Sequence, residues 1–161
     1  MNKWKTPPVI KIYEALGAIA DGRISVNGDR AEVYSSDGNK KYDVIFCESE
    51  NAIMANDNGS YWVGYLGYPS VAYLMLKGVL EYKAEYGEAL KNIKWKEINT
   101  KNKNNFELTQ EEIDKTLAEN QVDLEEFYCY LNNIIKSIGE LGLNYLGKKK
   151  KPPTEKKDIK S

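Results

Sequence analysis

The stretch that decides the fold reads GYLGYPSVAYLMLKGVL and covers residues 64–80. The proline at position 69 is tolerated in a first helical turn, where its missing N–H would have no partner anyway. Apolar residues then recur every three or four positions, which predicts a helix over residues 69–81. This helix is apolar on most sides, so we expect other elements to cover it. Its apolar residues are Val71, Ala72, Leu74, Met75, Leu76, Val79 and Leu80.

The chain before this stretch predicts one helix and an antiparallel meander. A stripe of apolar residues over positions 9–20 predicts the helix. Asn27-Gly28 favours a tight hairpin, because both central residues of such a turn take positive φ. Alternating segments around this turn, and again over residues 42–47 and 52–55, predict three to five strands with helices on one face.

The remaining segments are predicted from weaker local patterns. Residues 61–63 are expected to form a last short strand or an extended lead into the central helix. Residues 94–98 alternate and favour an edge strand or a packed extended segment, and residues 100–105 resemble a polar linker. Capping patterns that begin at Thr109 and Asp123 predict two further helices, of which the second is clearly amphipathic.

These elements together predict an α+β protein with an N-terminal helix, an antiparallel β-meander, a buried central helix and a helical C-terminal region. Residues 1–99 are expected to form the α+β core domain, and residues 100–147 a helical appendage that packs on it. Residues 148–161 read KKKKPPTEKKDIKS. A segment this charged cannot bury apolar surface, so we expect a disordered lysine-rich tail.

The residue inventory excludes several chemistries. The chain has no histidine, which removes histidine acid–base catalysis, Ser-His and Cys-His nucleophiles and the usual transition-metal sites. Cys47 and Cys129 have apolar neighbours and are expected to be buried thiols, with a disulfide as the alternative. No phosphate-binding glycine motif is present, and no carboxylate pair stands out. We therefore predict no metal, no cofactor and no catalytic set.

The sequence also carries expectations about location and partners. Neither a signal peptide nor an apolar run of membrane-spanning length is recognisable, which predicts a cytoplasmic protein without a membrane partner. The net charge of −1 argues against general binding of polyanions by the whole molecule.

A resemblance to a known module emerges when the meander and the central helix are compared together. Residues 33–38, then Tyr42-x-Val44, a short strand, a loop and an alanine-containing helix follow one another. This order resembles the SWIM zinc-finger module over about residues 31–80. That family arranges two strands and a helix around a C-x-C pair and a later C-x-H pair.

The resemblance places the zinc ligands on residues that cannot serve as such. The first pair falls on Met54 and Asn56, and the second on Gly67 and Pro69. The resemblance thus implies a metal-free relative in which apolar packing replaces zinc. Because the family is associated with nucleic-acid and protein binding, the match implies a scaffold and not an activity.

Two groups of residues are candidate binding sites. The first is an aromatic cluster with a nearby carboxylate, which is either a stacking surface for a peptide or bases, or packing at the edge of the core. Its members are Tyr61, Trp62, Tyr65, Tyr68 and Asp57. The second is a set of lysines, which either holds nucleic acid or solubilises the terminus. These are Lys94, Lys96, Lys148, Lys149, Lys150 and Lys151.

The function predicted from these features is that of a non-enzymatic protein-interaction module with an unknown protein partner. The alternative is a weak, non-specific nucleic-acid-binding accessory protein that uses the tail and the basic stretch around Trp95. A homo-oligomer is a further alternative, because the apolar stripe of residues 124–138 could face either the meander or a second copy.

Overall fold

The computed structural model describes residues 2–154 and shows an α+β fold. The strands are β1 (Ile24–Asn27), β2 (Arg30–Tyr34), β3 (Lys41–Cys47), β4 (Ala52–Ala55) and β5 (Asn144–Tyr145). The helices are α1 (Ile10–Ala20), α2 (Tyr68–Leu76), α3 (Ala84–Ala89), α4 (Trp95–Lys101), α5 (Phe106–Glu119) and α6 (Leu124–Leu141). A π-helix, Gly59–Val63, precedes α2. The predicted fold class is confirmed, and residues 155–161 of the predicted tail lie outside the described residues.

The sheet is a meander with one added strand. Its five strands lie in the order β1-β2-β3-β4-β5, and the first four pair antiparallel with their neighbours. β5 comes from the C-terminal end of the chain and pairs parallel with β4. The last strand of the sheet therefore begins at Asn144, 89 positions after β4 ends at Ala55. No local sequence pattern predicts this pairing.

The first hairpin turns one residue later than its sequence predicts. Asn27 pairs with Arg30, so the two turn residues are Gly28 and Asp29 and not Asn27-Gly28. Gly28 has a φ of 62° and takes the first turn position. Turns with glycine at that position suit the right-handed twist of a hairpin, and this preference decides the register.

The central helix α2 is covered, as the sequence predicts. It contacts β1, β3 and β4 on one side and α1 on the other, and α1 in turn contacts α3 and α5. Residues 71–75 are buried. The helix ends at Leu76 and not at position 81, because Gly78 (φ 77°) reverses the chain. Leu76 and Val79, expected in the apolar stripe, are 43% and 38% exposed.

Two local predictions in the C-terminal half are wrong, and one is confirmed. Residues 94–98 do not form a strand but begin α4, in which Trp95 and Ile98 are three positions apart and share a helical face. Helix α5 begins before Thr109, because the Asn105 side chain accepts a hydrogen bond from Leu108 N at 3.3 Å. Asp123 caps α6 as predicted and accepts from Glu126 N at 3.2 Å.

Both cysteines are free thiols, and only Cys47 is partly buried. Cys47 is half-buried on β3, and Cys129 is exposed on α6. The predicted burial of Cys129 is wrong, because it lies on the outer side of α6, whereas the next residue, Tyr130, is buried. Within residues 2–154, no helix is both long enough and apolar enough to cross a membrane.

Residues 61–63 belong to the π-helix and are neither a strand nor an extended lead. A buried carboxylate holds this turn: Asp57 Oδ1 accepts from Ser60 Oγ at 2.6 Å, and Oδ2 accepts from Ser60 N at 3.2 Å. The same carboxylate lies so close to Gly67 that a Cβ there would overlap it. Asp57 therefore fixes the π-helix against the first residues of α2.

We expect Gly67→Ala to lower the free energy of unfolding by about 1–3 kcal/mol, because its Cβ would displace the Asp57 carboxylate. The matched control is Gly139→Ala in the last turns of α6, where the nearest heavy atom to a Cβ is Thr6 Cγ2 at 4.0 Å. That control should gain about 0.5–1 kcal/mol. Urea unfolding measures both, and equal stability of Gly67→Ala and wild type would contradict the packing described.

Burial raises the pKa of the Asp57 carboxyl above its ordinary value of 3.8, while hydrogen bonds from Ser60 and the charge of Lys11 act in the opposite direction. Above that value the unfolded chain has released a proton that the folded chain still holds, so stability falls as pH rises. We expect the free energy of unfolding of wild type, relative to Asp57→Asn, to decrease from about pH 4 upward. A difference that is constant or increases with pH would contradict the shift.

Candidate functional site

One cavity, of about 910 Å³, lies where four parts of the chain meet. Its first wall is α1 with the segment before it, and its second is the turn between β2 and β3. The third wall runs from the end of β4 through the π-helix to the start of α2, and the fourth is α4 with the start of α5. Ligand sites in proteins usually measure about 300–1,000 Å³, so this cavity is of the size that binds a small molecule or a peptide side chain.

Two charged side chains of α1 lie at the cavity, and we call Lys11 and Glu14 the floor pair. Lys11 Nζ is 2.8 Å from Glu14 Oε2, and the two side chains are 14% and 6% exposed. From α4, Asn99 Nδ2 donates to Glu14 Oε1 at 2.9 Å. Lys11 Nζ also lies 4.6 Å from the centroid of the Phe106 ring. The floor pair thus joins α1 to α4 and to the start of α5.

The ammonium of Lys11 retains hydrogen-bonding capacity. Burial disfavours its charge, but the neighbouring carboxylates, Glu14 above all, outweigh that effect and raise the pKa of Lys11. A lysine ammonium has three N–H donors. Within the part of the chain that the structure describes, Glu14 is its one charged acceptor within ion-pair distance. A charged donor therefore lies in the cavity wall with donors to spare.

Two buried nitrogens of cavity-lining side chains, Arg23 Nη2 and Trp95 Nε1, have no hydrogen-bond partner among residues 2–154. Glu14 Oε2 is satisfied by the Lys11 ammonium, 2.8 Å away. The other nitrogens of the Arg23 guanidinium are used: Nε contacts Asp21, and Nη1 donates to the Tyr34 carbonyl at 2.7 Å. Buried polar atoms are normally paired, so these two nitrogens are exceptions in the packing around the cavity.

The charged residues that line the cavity are mostly cationic. The cations are Lys5, Lys11, Arg23, Lys40 and Lys96, and the carboxylates are Glu14 and Asp57. Lys96 is paired with Asp37, 3.1 Å away and outside this cavity's lining. Arg23 is likewise paired with Asp21, 3.1 Å away. Even with Asp21 and Asp37 included, five cations stand against four carboxylates, so the cavity should have a positive potential.

Tyrosine rings form much of the uncharged wall. Tyr42 and Tyr68 meet edge-to-face, with ring centroids 6.1 Å apart, and Tyr65 is buried and lines the same cavity. Burial raises the pKa of all three hydroxyls, so they stay protonated. The wall therefore offers neutral aromatic surface next to cationic groups.

An exposed apolar pair lies at the cavity rim, and we call Trp62 and Val63 the rim pair. Their side chains are 68% and 53% exposed, the highest values among the large apolar residues that the structure describes as exposed. The Trp62 ring contacts the Tyr61 ring edge-on, with centroids 4.7 Å apart. Both residues of the rim pair belong to the π-helix and line the cavity.

The structure brings together most of the aromatic cluster predicted from sequence. Asp57, Trp62, Tyr65 and Tyr68 all line the cavity, so the loop of residues 64–69 rims an open space. Tyr61 is not in this lining, and its backbone carbonyl accepts a hydrogen bond from Lys149 Nζ at 3.2 Å.

The predicted lysine set is divided between two places. Lys94 and Lys96 line a second cavity, of about 630 Å³, which also contains Lys101, Asp37 and Glu97. In the tail, Lys149 lies 5.6 Å from the centroid of the Tyr145 ring and is held by the Tyr61 carbonyl. Lys148, Lys150 and Lys151 are exposed. Lys149 therefore packs on the fold, contrary to its expected place in a disordered tail.

Sequence reasoning missed the floor pair, Arg23 and Asn99. The one local signal was Glu14, a carboxylate within the apolar stripe that predicts α1. A charged residue in a buried helical face is rarely buried without a partner, and Lys11 is one turn away. Asn99 and Arg23 reach the cavity only through the tertiary fold, so no spacing in the sequence could identify them.

The positions that resemble zinc ligands have other roles. Met54 is buried in β4, and Asn56 Oδ1 accepts from Asp43 N at 2.8 Å. In the described range 2–154, no three His, Cys, Asp or Glu side chains gather as a metal site. The resemblance to the SWIM module stays a prediction, since nothing in this geometry tests it.

Comparison with known proteins adds a family. No curated protein matches the chain, and no solved structure matches it. A family model does match residues 4–144, a range that includes every residue lining the cavity. The chain therefore belongs to the family described as "Uncharacterised conserved protein UCP014422".

Proposed function

We propose that the protein is a non-enzymatic protein-interaction module whose partner docks at the rim of the cavity. The observation that supports this most is the rim pair: Trp62 and Val63 are adjacent, exposed and part of the cavity lining. Exposed apolar groups of this kind, close to a polar concavity, mark interaction surfaces. Tryptophan in particular contributes strongly to the centres of protein interfaces.

The rim pair is also held in place before any partner arrives. Asp57 bonds twice to Ser60 within the turn, and Gly64, with a φ of 90°, ends the π-helix. A side chain presented on a fixed turn loses less conformational entropy on binding than one on a loose loop. The local structure therefore favours recognition by a preformed surface.

The carboxylates of the cavity support a binding role over catalysis. Glu14 contacts Lys11 and Asn99, while Asp57 is bonded to Ser60 and packed against Gly67. Each carboxylate thus has structural partners, and the chain has no histidine, the commonest acid–base residue. The partner segment should be apolar and acidic, because it meets the rim pair and a cationic cavity.

We expect a random peptide display library to yield peptides that combine apolar and acidic residues when selected against the wild-type protein. Trp62→Ala should weaken a selected peptide by at least about tenfold, measured by fluorescence anisotropy. The matched control is Tyr34→Ala, because Tyr34 is an exposed aromatic residue on β2 outside the cavity lining. Failure to enrich any peptide, or equal binding by Trp62→Ala and wild type, would contradict the proposal.

The alternative proposal, weak nucleic-acid binding, makes a different prediction. Lys148, Lys150 and Lys151 are exposed, so replacing all three by alanine should leave the Lys149 contact with the Tyr61 carbonyl intact. If these lysines hold nucleic acid, the triple variant should bind a single-stranded oligonucleotide more weakly and with a smaller salt dependence than wild type. Unchanged affinity and salt dependence in an electrophoretic or anisotropy titration would exclude this role of the tail.

A further inference from the structure

We infer that the cavity binds an oxyanion, a carboxylate or a phosphate, attached to a planar ring. The inference rests on the proposed function, because it specifies the chemistry that the occupant of the same site presents. Two sources share that chemistry: an acidic group on the docking segment, or a free small anion that fills the cavity. Three features support the inference: the contacts of the floor pair, the charge of the cavity lining and the aromatic surface of that lining.

Lys11 supplies a charged donor that its protein neighbours do not saturate. Its ammonium contacts Glu14 Oε2 at 2.8 Å and lies over the Phe106 ring, which accepts no conventional hydrogen bond. At least one N–H is therefore left for an acceptor in the cavity. An anionic oxygen is the strongest acceptor for such a donor, because a hydrogen bond between charged groups is about twice as strong as a neutral one.

The cations around the cavity add a field of the same sign. Lys40 lies in the turn between β2 and β3, Arg23 directly precedes β1, and Lys5 lies in the segment before α1. A concave site with low-dielectric walls concentrates such a field. A cationic ligand is disfavoured, because it would enter a lining in which cations outnumber carboxylates.

The tyrosine side chains in the cavity wall are the reason why we expect the bound anion to carry a planar ring. Tyr42, Tyr65 and Tyr68 line the same cavity as Lys11, and aromatic side chains pack well on planar groups in stacked or edge-on geometry. A bare inorganic anion would leave this surface wet. An anion that carries a ring would contact the cations and the tyrosines together, and the cavity volume of about 910 Å³ accommodates it.

Isothermal titration calorimetry with three matched probes tests the inference. Phenyl phosphate and phenylacetate carry a ring with an oxyanion, and benzyl alcohol carries a ring with an uncharged hydroxyl. We expect both anions to bind at least about tenfold more tightly than benzyl alcohol, and to lose affinity as salt is added. Equal binding of benzyl alcohol, or no binding of either anion, would overturn the inference.

Variants locate the binding in the cavity. Lys11→Met combined with Glu14→Gln removes the floor charges together, and the glutamine keeps an acceptor for Asn99. This double variant should bind phenyl phosphate at least about tenfold more weakly. Lys40→Ala changes only the cavity wall and should weaken binding about threefold, while the control Lys77→Ala, at an exposed lysine outside the lining, should not.

Lys40→Ala keeps the test decisive if the double variant does not fold. Wild-type affinity for both anions in Lys40→Ala would then overturn the inference.

Experiments with the selected peptides distinguish the two sources of the anion, and they distinguish the anion site from the protein-interaction proposal. If selected peptides bind through Trp62 and compete with phenyl phosphate, the acidic group comes from the partner. Should the small anions bind while no peptide does, the anion site stands and the protein-interaction proposal falls. If peptides bind through Trp62 but replacing their acidic residues has no effect and no anion binds, the interaction proposal stands and the inference falls.

Discussion

The contact between the Asp57 carboxylate and Gly67 is the constraint on which the functional face of the molecule depends. No side chain fits at position 67, so the carboxylate can pack against the backbone where α2 begins. Through its bonds to Ser60 it also sets the π-helix. One buried acid thus fixes the start of the covered central helix and the turn that presents Trp62 and Val63 at the cavity rim.

A second constraint is the cost of burying charge at the cavity. Removing the floor pair from water carries a desolvation penalty that their mutual attraction only partly offsets, even with the hydrogen bond from Asn99. An apolar pair at these positions would pack α1 at lower cost. The unpaired atoms of Arg23 and Trp95 add to this penalty. Buried charged and unpaired groups in an otherwise well-packed domain are frequent at functional sites, and this supports the proposals made for the cavity.

The sequence predicted the elements whose signals are local, and it could not predict the site that they enclose. Alternation and apolar periodicity identified the meander and α2, because the buried face of each element determines the spacing of apolar residues within it. The strand predicted for residues 94–98 was wrong because five positions span only about one and a half helical turns, too few to distinguish a strand from a helix. The cavity brings together Lys11, Arg23 and Asn99, which lie on different elements and share no spacing. Of the cavity walls, only the aromatic and glycine-rich one could be recognised in the sequence, because a single continuous segment forms it.

The three tryptophans report directly on whether the cavity binds a ring-bearing oxyanion. Trp62 and Trp95 line the cavity, whereas Trp4 is outside its lining and its Nε1 donates to the Ile53 carbonyl at 2.8 Å. In ¹⁵N–¹H correlation spectra recorded with increasing phenyl phosphate, we expect saturable shifts of the Trp62 and Trp95 indole signals and a stationary Trp4 signal. Three stationary signals, or a Trp4 shift as large as the others, would contradict binding of the anion in the cavity.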